Sequence, residues 1–408
     1  MTSAQQTYRI EKWKRISGKL CCDLPQPNEK LHFEFRNVAF LSFSSLAFNR
    51  HHAKWDVYKG FLTIHKEKDM RINNPELKKD APLAFHSHRN MLESIEGAIL
   101  GFAVGDALGV PAEFMSRERL QHDPVVDMQG GGVHNQPAGT WSDDTSMTLC
   151  LMDSIMEKGI HYGDQMSRFS DWLWNATNTA HGEVFDVGGT TKRAILKFAK
   201  GASPLECGET ADFSCGNGSL MRILPMAFYI VGQYGNTELD DRAAEMIHNT
   251  SKCTHAHLRC QMACGIYSSV VFQLCVGDDL IKSVESGILS ALSYYKNKSA
   301  FAGVYHEFES LADIGLWEES HIRGSGYVLH TLQASLWCLL TTFCYAECVL
   351  KAVRLGEDTD TTAAVAGGLA GLWYGVQSIP ESWLYKLAKH NELKVKCNQF
   401  AHSCSKSI

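Results

Sequence analysis

The stretch Thr140-Trp141-Ser142-Asp143-Asp144-Thr145 sets two adjacent carboxylates among hydroxyl side chains, just before an apolar run over 147–156. A second cluster of the same chemistry, Asp358-Thr359-Asp360-Thr361, opens another apolar run far along the chain. Carboxylates at a helix start can simply accept its unpaired N–H groups, and capping suffices for either cluster taken alone. Taken together, the clusters supply an all-oxygen ligand set suited to a hard divalent cation such as Mg²⁺ or Mn²⁺. A chain built around such a site must fold so that two distant helix starts meet.

From residue 90 onward the apolar periodicity is helical almost throughout. It predicts helices near 91–109, 144–158, 164–175, 189–200, 255–276, 280–296, 326–340, 346–354 and 361–375. No strand run of note follows residue 110, so the body is expected to be all-α. The first helix carries Gly97, Gly101, Gly105 and Gly109, and the last is equally rich in small residues. Glycine costs helix stability, so this many imply close backbone approach or a ligand. The run Gly216-Asn217-Gly218-Ser219 reads as a helix start whose free N–H groups could face an anion such as a pyrophosphate. Pro225 is expected to end or kink that helix. Gly130-Gly131-Gly132 reads as a mobile loop able to approach phosphate or sugar, on weak evidence. Glu113 could be an ordinary surface acid. His255 and His257 are two apart and cannot share a helix face, which argues against a two-histidine zinc site.

The chain has 408 residues, enough for one large domain and an appendage. Its net charge of −6 hides an asymmetry: residues 1–89 hold 16 Lys+Arg against 9 Asp+Glu, and the remainder 23 against 36. The expected division is therefore a basic, aromatic extension over 1–89 and an acidic body over 90–408. Residues 31–43 read as extended structure, and aromatics at Phe48, Trp55, Tyr58 and Phe61 alternate with basic side chains. Such a segment can pack on the body, bind single-stranded nucleic acid, or dock on a protein partner. No RNP-type or helix-turn-helix signature accompanies it, which weighs against nucleic acid. The fourteen cysteines are scattered without a zinc-type CxxC pair and read as reduced thiols. No signal peptide or membrane span is expected, and the expected location is the cytoplasm.

Taken in order, Gly105-Asp106-Ala107-Leu108-Gly109 with Glu113, Trp141-Ser142-Asp143-Asp144-Thr145, Gly216–Arg222, Thr254-His255, Gly326-Tyr327-Val328 and Asp358–Thr361 resemble the ADP-ribosylglycohydrolase family, dinitrogenase reductase-activating glycohydrolases included. The resemblance covers about residues 90 to 390. It implies a compact orthogonal helical bundle with two Mg²⁺ ions (Mn²⁺ as a substitute) that hydrolyses the bond joining ADP-ribose to a modified protein side chain, arginine first among them. It also implies Ser142, Asp143, Asp144, Asp358, Asp360 and Thr361 as metal ligands, and Glu113 and Asp144 as catalytic residues. Gly131, Gly132, Gly216, Asn217, Gly218, Ser219, Met221 and His255 would hold the substrate. Two positions depart from the family: Ser142 stands where Thr is commoner, and Glu357 where Gly often precedes the second cluster. Neither removes a ligand. With its basic extension the chain resembles immunity proteins of type VI secretion ADP-ribosyltransferase toxins, which implies that residues 1–89 bind and block a cognate toxin. Two other readings make the extension a lid or substrate-docking element of a stand-alone hydrolase, or the body a non-catalytic relative.

Overall fold

The computed structural model describes residues 90–404 and two earlier strands, Lys54–Tyr58 (β1) and Phe61–His65 (β2). By internal contacts the chain divides into two units, Met1–His86 and Ser87–Ile408. In the first, β1 and β2 pair antiparallel, Lys54 opposite His65 and Tyr58 opposite Phe61. The strand expected over 31–43 lies outside the described residues.

The second unit is helical. Its α-helices are α1 (Met91–Gly109), α2 (Arg117–His122), α3 (Asp143–Lys158), α4 (Tyr162–Asn175), α5 (Gly189–Ala199), α6 (Leu224–Tyr234), α7 (Asp241–Lys252), α8 (Leu258–Val276), α9 (Leu280–Lys296), α10 (Ala302–Tyr305), α11 (Val328–Leu340), α12 (Tyr345–Val353), α13 (Thr359–Tyr374), α14 (Glu381–Lys386) and α15 (His390–Cys404). Short 3₁₀ turns join several of them, and isolated bridges are the only β pairing described after residue 90.

The centre of the unit is the antiparallel pair α1 and α13. Their small residues face each other rung by rung: a Cβ on Gly97 would stand 2.5 Å from the Gly371 carbonyl oxygen, and one on Gly101 2.6 Å from that of Gly367. At Gly105 and Gly109 the added carbon would overlap the backbone of Ala363 and Asp360. Only glycine allows this approach, and the packing repays the helix propensity it forfeits. The Tyr345 hydroxyl (2.6 Å to the Gly101 carbonyl) and Thr359 Oγ1 (2.7 Å to the Gly109 carbonyl) pin the pair. Because the two run antiparallel, the C-terminal end of α1 meets the N-terminal end of α13. That contact places the site.

Helix α1 belongs to a segment, Met91–Ala112, that is long and apolar enough to cross a bilayer, with a mean hydropathy of 1.4. It is 94% buried within the unit, so burial among helices accounts for its apolarity. The twelve cysteines among the described residues are free thiols.

Several local expectations need correction. Residues 216–222 form turns, and the helix begins afterwards, at Leu224, with Pro225 in its first turn. Proline is tolerated there because that N–H has no intrahelical partner, so Pro225 starts α6 where termination was expected. Helix α8 begins at Leu258, with His257 as its N-cap, so His255 lies before it. Helices α7, α14 and α15 were not anticipated. The described part of α15 is mostly polar, which hides its apolar contacts at Leu393, Cys397 and Phe400.

Candidate active site

Asp106 in the last turn of α1 organises the first acidic cluster. Its carboxylate accepts from the backbone N–H of Ser142 (2.8 Å) and Thr145 (3.0 Å) and from Thr145 Oγ1 (2.6 Å). Asp106 thus caps α3 from outside, while Ser142 supplies the ordinary N-cap to the Asp144 N–H (3.3 Å). With both capping roles taken, Asp143 and Asp144 are free for other use. Asp144 Oδ2 accepts from Ser142 Oγ (2.9 Å) and Thr361 Oγ1 (3.3 Å), so the two distant clusters touch. Asp358 Oδ2 accepts from Asn217 Nδ2 (2.8 Å), which ties the Gly216 turn to the second cluster.

Asp106, Asp144 and Asp360 are buried, each offering an oxygen within 4.8 Å of the others'. Asp144 Oδ1 and Asp360 Oδ2 have no hydrogen-bond partner among the described residues. An unpaired buried carboxylate oxygen is costly unless a cation meets it. Burial first, and then mutual repulsion, drives Asp143, Asp144 and Asp360 well above the usual carboxylate range. Asp106 rises to about 6 by burial, held down by its bonds from Thr145 and Ser142. An oxygen-only donor set with orphaned oxygens and strained charge fits a hard divalent cation.

Beside this group opens a cleft of about 390 Å³. Glu113, Asp143, Asp358 and Thr361 line it on the acidic side, and Gly216, Asn217, Gly218, Met221 and His255 on the other. Among the described residues, no lysine or arginine lines it. His255 is buried; Thr254 Oγ1 lies 2.8 Å from its Nδ1, and burial lowers its pKa to about 3, leaving a neutral ring against the Gly216–Gly218 turn. Arg222 lies under that turn, bonding the Gly218 and Thr250 carbonyls with its guanidinium over the Phe169 ring.

The other predicted substrate residues stand elsewhere. Ser219 is fully buried and accepts from Ser251 Oγ (2.8 Å), away from the cleft wall. Gly131 and Gly132 do not line the cleft: Gly131 bridges to Gln136, and Gly132 packs on the Pro111 backbone. The glycine loop delivers His134 instead, whose Nε2 is 2.5 Å from Glu113 Oε2.

Sequence reading assigned no role to Asp106, Asp186 or the segment Gly188-Gly189-Thr190-Thr191, although the last two line the cleft. The Glu113 and Asp186 carboxylates offer oxygens within 4.8 Å of each other; burial and the Asp186 charge push the Glu113 carboxyl to about 9. Glu113, His134 and Asp186 form a second cluster within 4.8 Å. The signal was available: Asp186-Val187-Gly188-Gly189-Thr190-Thr191, leading into α5, repeats the acid-and-hydroxyl pattern of the other clusters.

The unit is all-α and gathers carboxylates from three helix ends beside a glycine-walled cleft with a neutral histidine, a donor set that fits a divalent cation. The sequence pattern of the ADP-ribosylglycohydrolase family matches residues 87–407. The chain is 31% identical over 307 residues to the ADP-ribosylarginine hydrolase Tri1 of Serratia proteamaculans (74% of this chain, 77% of that protein). It is 30% identical over 306 residues to the ADP-ribosyl-[dinitrogen reductase] glycohydrolase of Rhodospirillum rubrum (74% and 92%). A solved ADP-ribosylglycohydrolase-related protein complex superposes with a TM-score of 0.62 at 28% identity, covering 77% of this chain and 99% of that one. The chain belongs to the ADP-ribosylglycohydrolase family. It is an ADP-ribosyl-acceptor hydrolase, acting on the glycosidic bond between ADP-ribose and its acceptor.

Proposed function

We propose that this enzyme removes ADP-ribose from arginine side chains of modified proteins, using two divalent cations, magnesium first and manganese as a substitute. The observation that carries the metal is the pair of orphaned buried oxygens, Asp144 Oδ1 and Asp360 Oδ2. Asp143, Asp144, Asp358, Asp360, Thr361 and Ser142 would hold the ions, with Asp106 fixing the helix start that carries three of them. Bound cations supply Lewis acidity and a more acidic water. Glu113 is the candidate acid and base: its raised pKa lets it protonate the departing nitrogen and then take a proton from the attacking water. The turn over 216–221 and the neutral His255 would receive the diphosphate and adenosine through N–H groups and apolar contact. The names of relatives that act on ADP-ribosylarginine support the acceptor.

We further propose that residues 1–89 form an arm that binds and blocks a cognate ADP-ribosyltransferase toxin, in the cytoplasm of the producing cell. Its basic and aromatic composition supports this, as does the position of residues 1–86 outside the family match.

The test is release of free ADP-ribose from arginine-ADP-ribosylated protein, with Mg²⁺ or EDTA, by wild type and Asp143→Ala. Metal-dependent release that falls at least a hundredfold in the variant is expected, in line with losing a positioning metal ligand. Equal release in EDTA would remove the cations from the mechanism.

A further inference from the structure

Two acid–aromatic pairs, Glu113-Phe114 and Phe185-Asp186, come from different loops; Glu113, Phe114 and Asp186 line the cleft, and Phe185 packs on His134 outside that lining. His134 lies between their rings: centroids are 6.2 Å from Phe114 to His134 and 5.0 Å from His134 to Phe185. The same imidazole contacts the Glu113 carboxyl, so the three rings run on from the acids that line the cleft. Phe114 is 67% exposed and holds a left-handed backbone, φ 63°. Reciprocal backbone bonds fix it there: its N–H reaches the Glu357 carbonyl (2.7 Å), and the Glu357 N–H the Met115 carbonyl (2.8 Å). An exposed phenyl on a strained backbone adds little to stability, and such strain persists where the frame imposes it.

We propose that Phe114, His134 and Phe185 form a collar that selects acceptors with a flat cationic leaving group, a guanidinium, over equally charged ammonium groups. This rests on the arginine reading above. A guanidinium carries its donors at the edge and a weakly hydrated face on each side. Carboxylates satisfy the edge and aromatic rings the face. The Glu113–Asp186 pair provides the first and the collar the second, and among the described residues no lysine or arginine lines the cleft to compete. An ammonium is held by the acids alone, because it has no face to stack.

The experiment uses the full chain with Mg²⁺ and compares wild type, Phe114→Leu, Phe114→Tyr and Phe185→Leu. It reads KM and kcat on an arginine-ADP-ribosylated peptide, and inhibition by agmatine, by cadaverine (a dication of similar length ending in ammonium) and by ADP-ribose. Agmatine is expected to inhibit wild type about tenfold better than cadaverine. Either leucine variant should shrink that gap to about threefold or less and raise KM more than it lowers kcat, while Phe114→Tyr keeps the gap. Inhibition by ADP-ribose should hold throughout, which also reports that the variants are folded. Equal inhibition of wild type by the two amines overturns the collar, as does an unchanged gap in both leucine variants. If wild type releases nothing from the arginine-linked peptide yet hydrolyses another acceptor, the arginine reading itself falls and takes the collar with it.

Discussion

Asp144 shows why capping does not explain the first acidic pair. Ser142 and Asp106 have already satisfied the start of α3, so Asp144 is left with an oxygen that no protein group meets. At the second cluster, Glu357 precedes Asp358 where the family often has glycine, and it keeps a left-handed φ of 62°. The backbone there still has the conformation glycine would adopt most easily. Away from the site, His248 makes a separate prediction. It is buried, with Tyr295 Oη 2.7 Å from its Nε2 and the Phe301 ring beside it; burial, and then the Lys252 charge, lowers its pKa to about 3. The unfolded chain binds this proton from about pH 6.5 downward and the folded chain does not. Its contribution to stability is therefore full above pH 6.5 and lost as pH falls toward 3. In His248→Gln, which can still hydrogen-bond Tyr295 but cannot titrate, urea midpoints between pH 5.5 and 4 should fall less steeply. The difference is about 1.4 kcal/mol per pH unit. His255 (lowered) and Asp106 (raised) titrate alike in both proteins and cancel in the comparison. Parallel curves would remove His248 from the acid response.

The α1–α13 pair turns a sequence peculiarity into the position of a site. Glycine-rich helices promised close backbone approach, and the structure delivers it, but which helix met which was not legible. Hydrogen bonds such as Thr359 to Gly109 span 250 residues, and no local pattern encodes a partner at that separation. Substitution along the ladder should be steeply position-dependent. In Gly105→Ala the new carbon meets the Ala363 carbonyl, part of the backbone that carries Asp360. A loss of about 3 kcal/mol or more is expected by urea denaturation, since neither helix backbone can give way cheaply. Metal affinity should fall with it, measured by calorimetric titration. Gly303→Ala in α10 meets nothing within 4 Å and has no left-handed φ, so it should be neutral or stabilising by about 0.5 kcal/mol. If the two variants melt alike, the ladder does not set the spacing of α1 and α13.

Across the molecule, the all-α body and the union of two acidic helix starts were legible, because acids beside hydroxyls at the head of apolar runs are a local pattern. Asp106 gained its role only from tertiary contact, because it caps a helix it does not belong to, whereas the acid-and-hydroxyl pattern after Asp186 was present in the sequence and went unused. The 216–222 turn was misread as a helix because free N–H groups look the same in sequence whether a helix or a turn presents them. The proposed division of labour between arm and body can be tested on the same grounds. Every acidic group of the site, and every ring of the proposed collar, lies within the family match over residues 87–407. A chain starting at Ser87 should therefore hydrolyse ADP-ribosylarginine with kcat/KM within about threefold of the full chain, under 1 kcal/mol in transition-state energy. Its affinity for an ADP-ribosyltransferase should fall by about a hundredfold or more, as expected when the aromatic and arginine anchors of an interface are removed together. Turnover on a small ADP-ribosyl substrate and calorimetric titration with the transferase separate the two effects. Loss of turnover with intact helicity would make residues 1–86 part of the active site, a lid or docking element, and would end the arm's reading as an independent inhibitor.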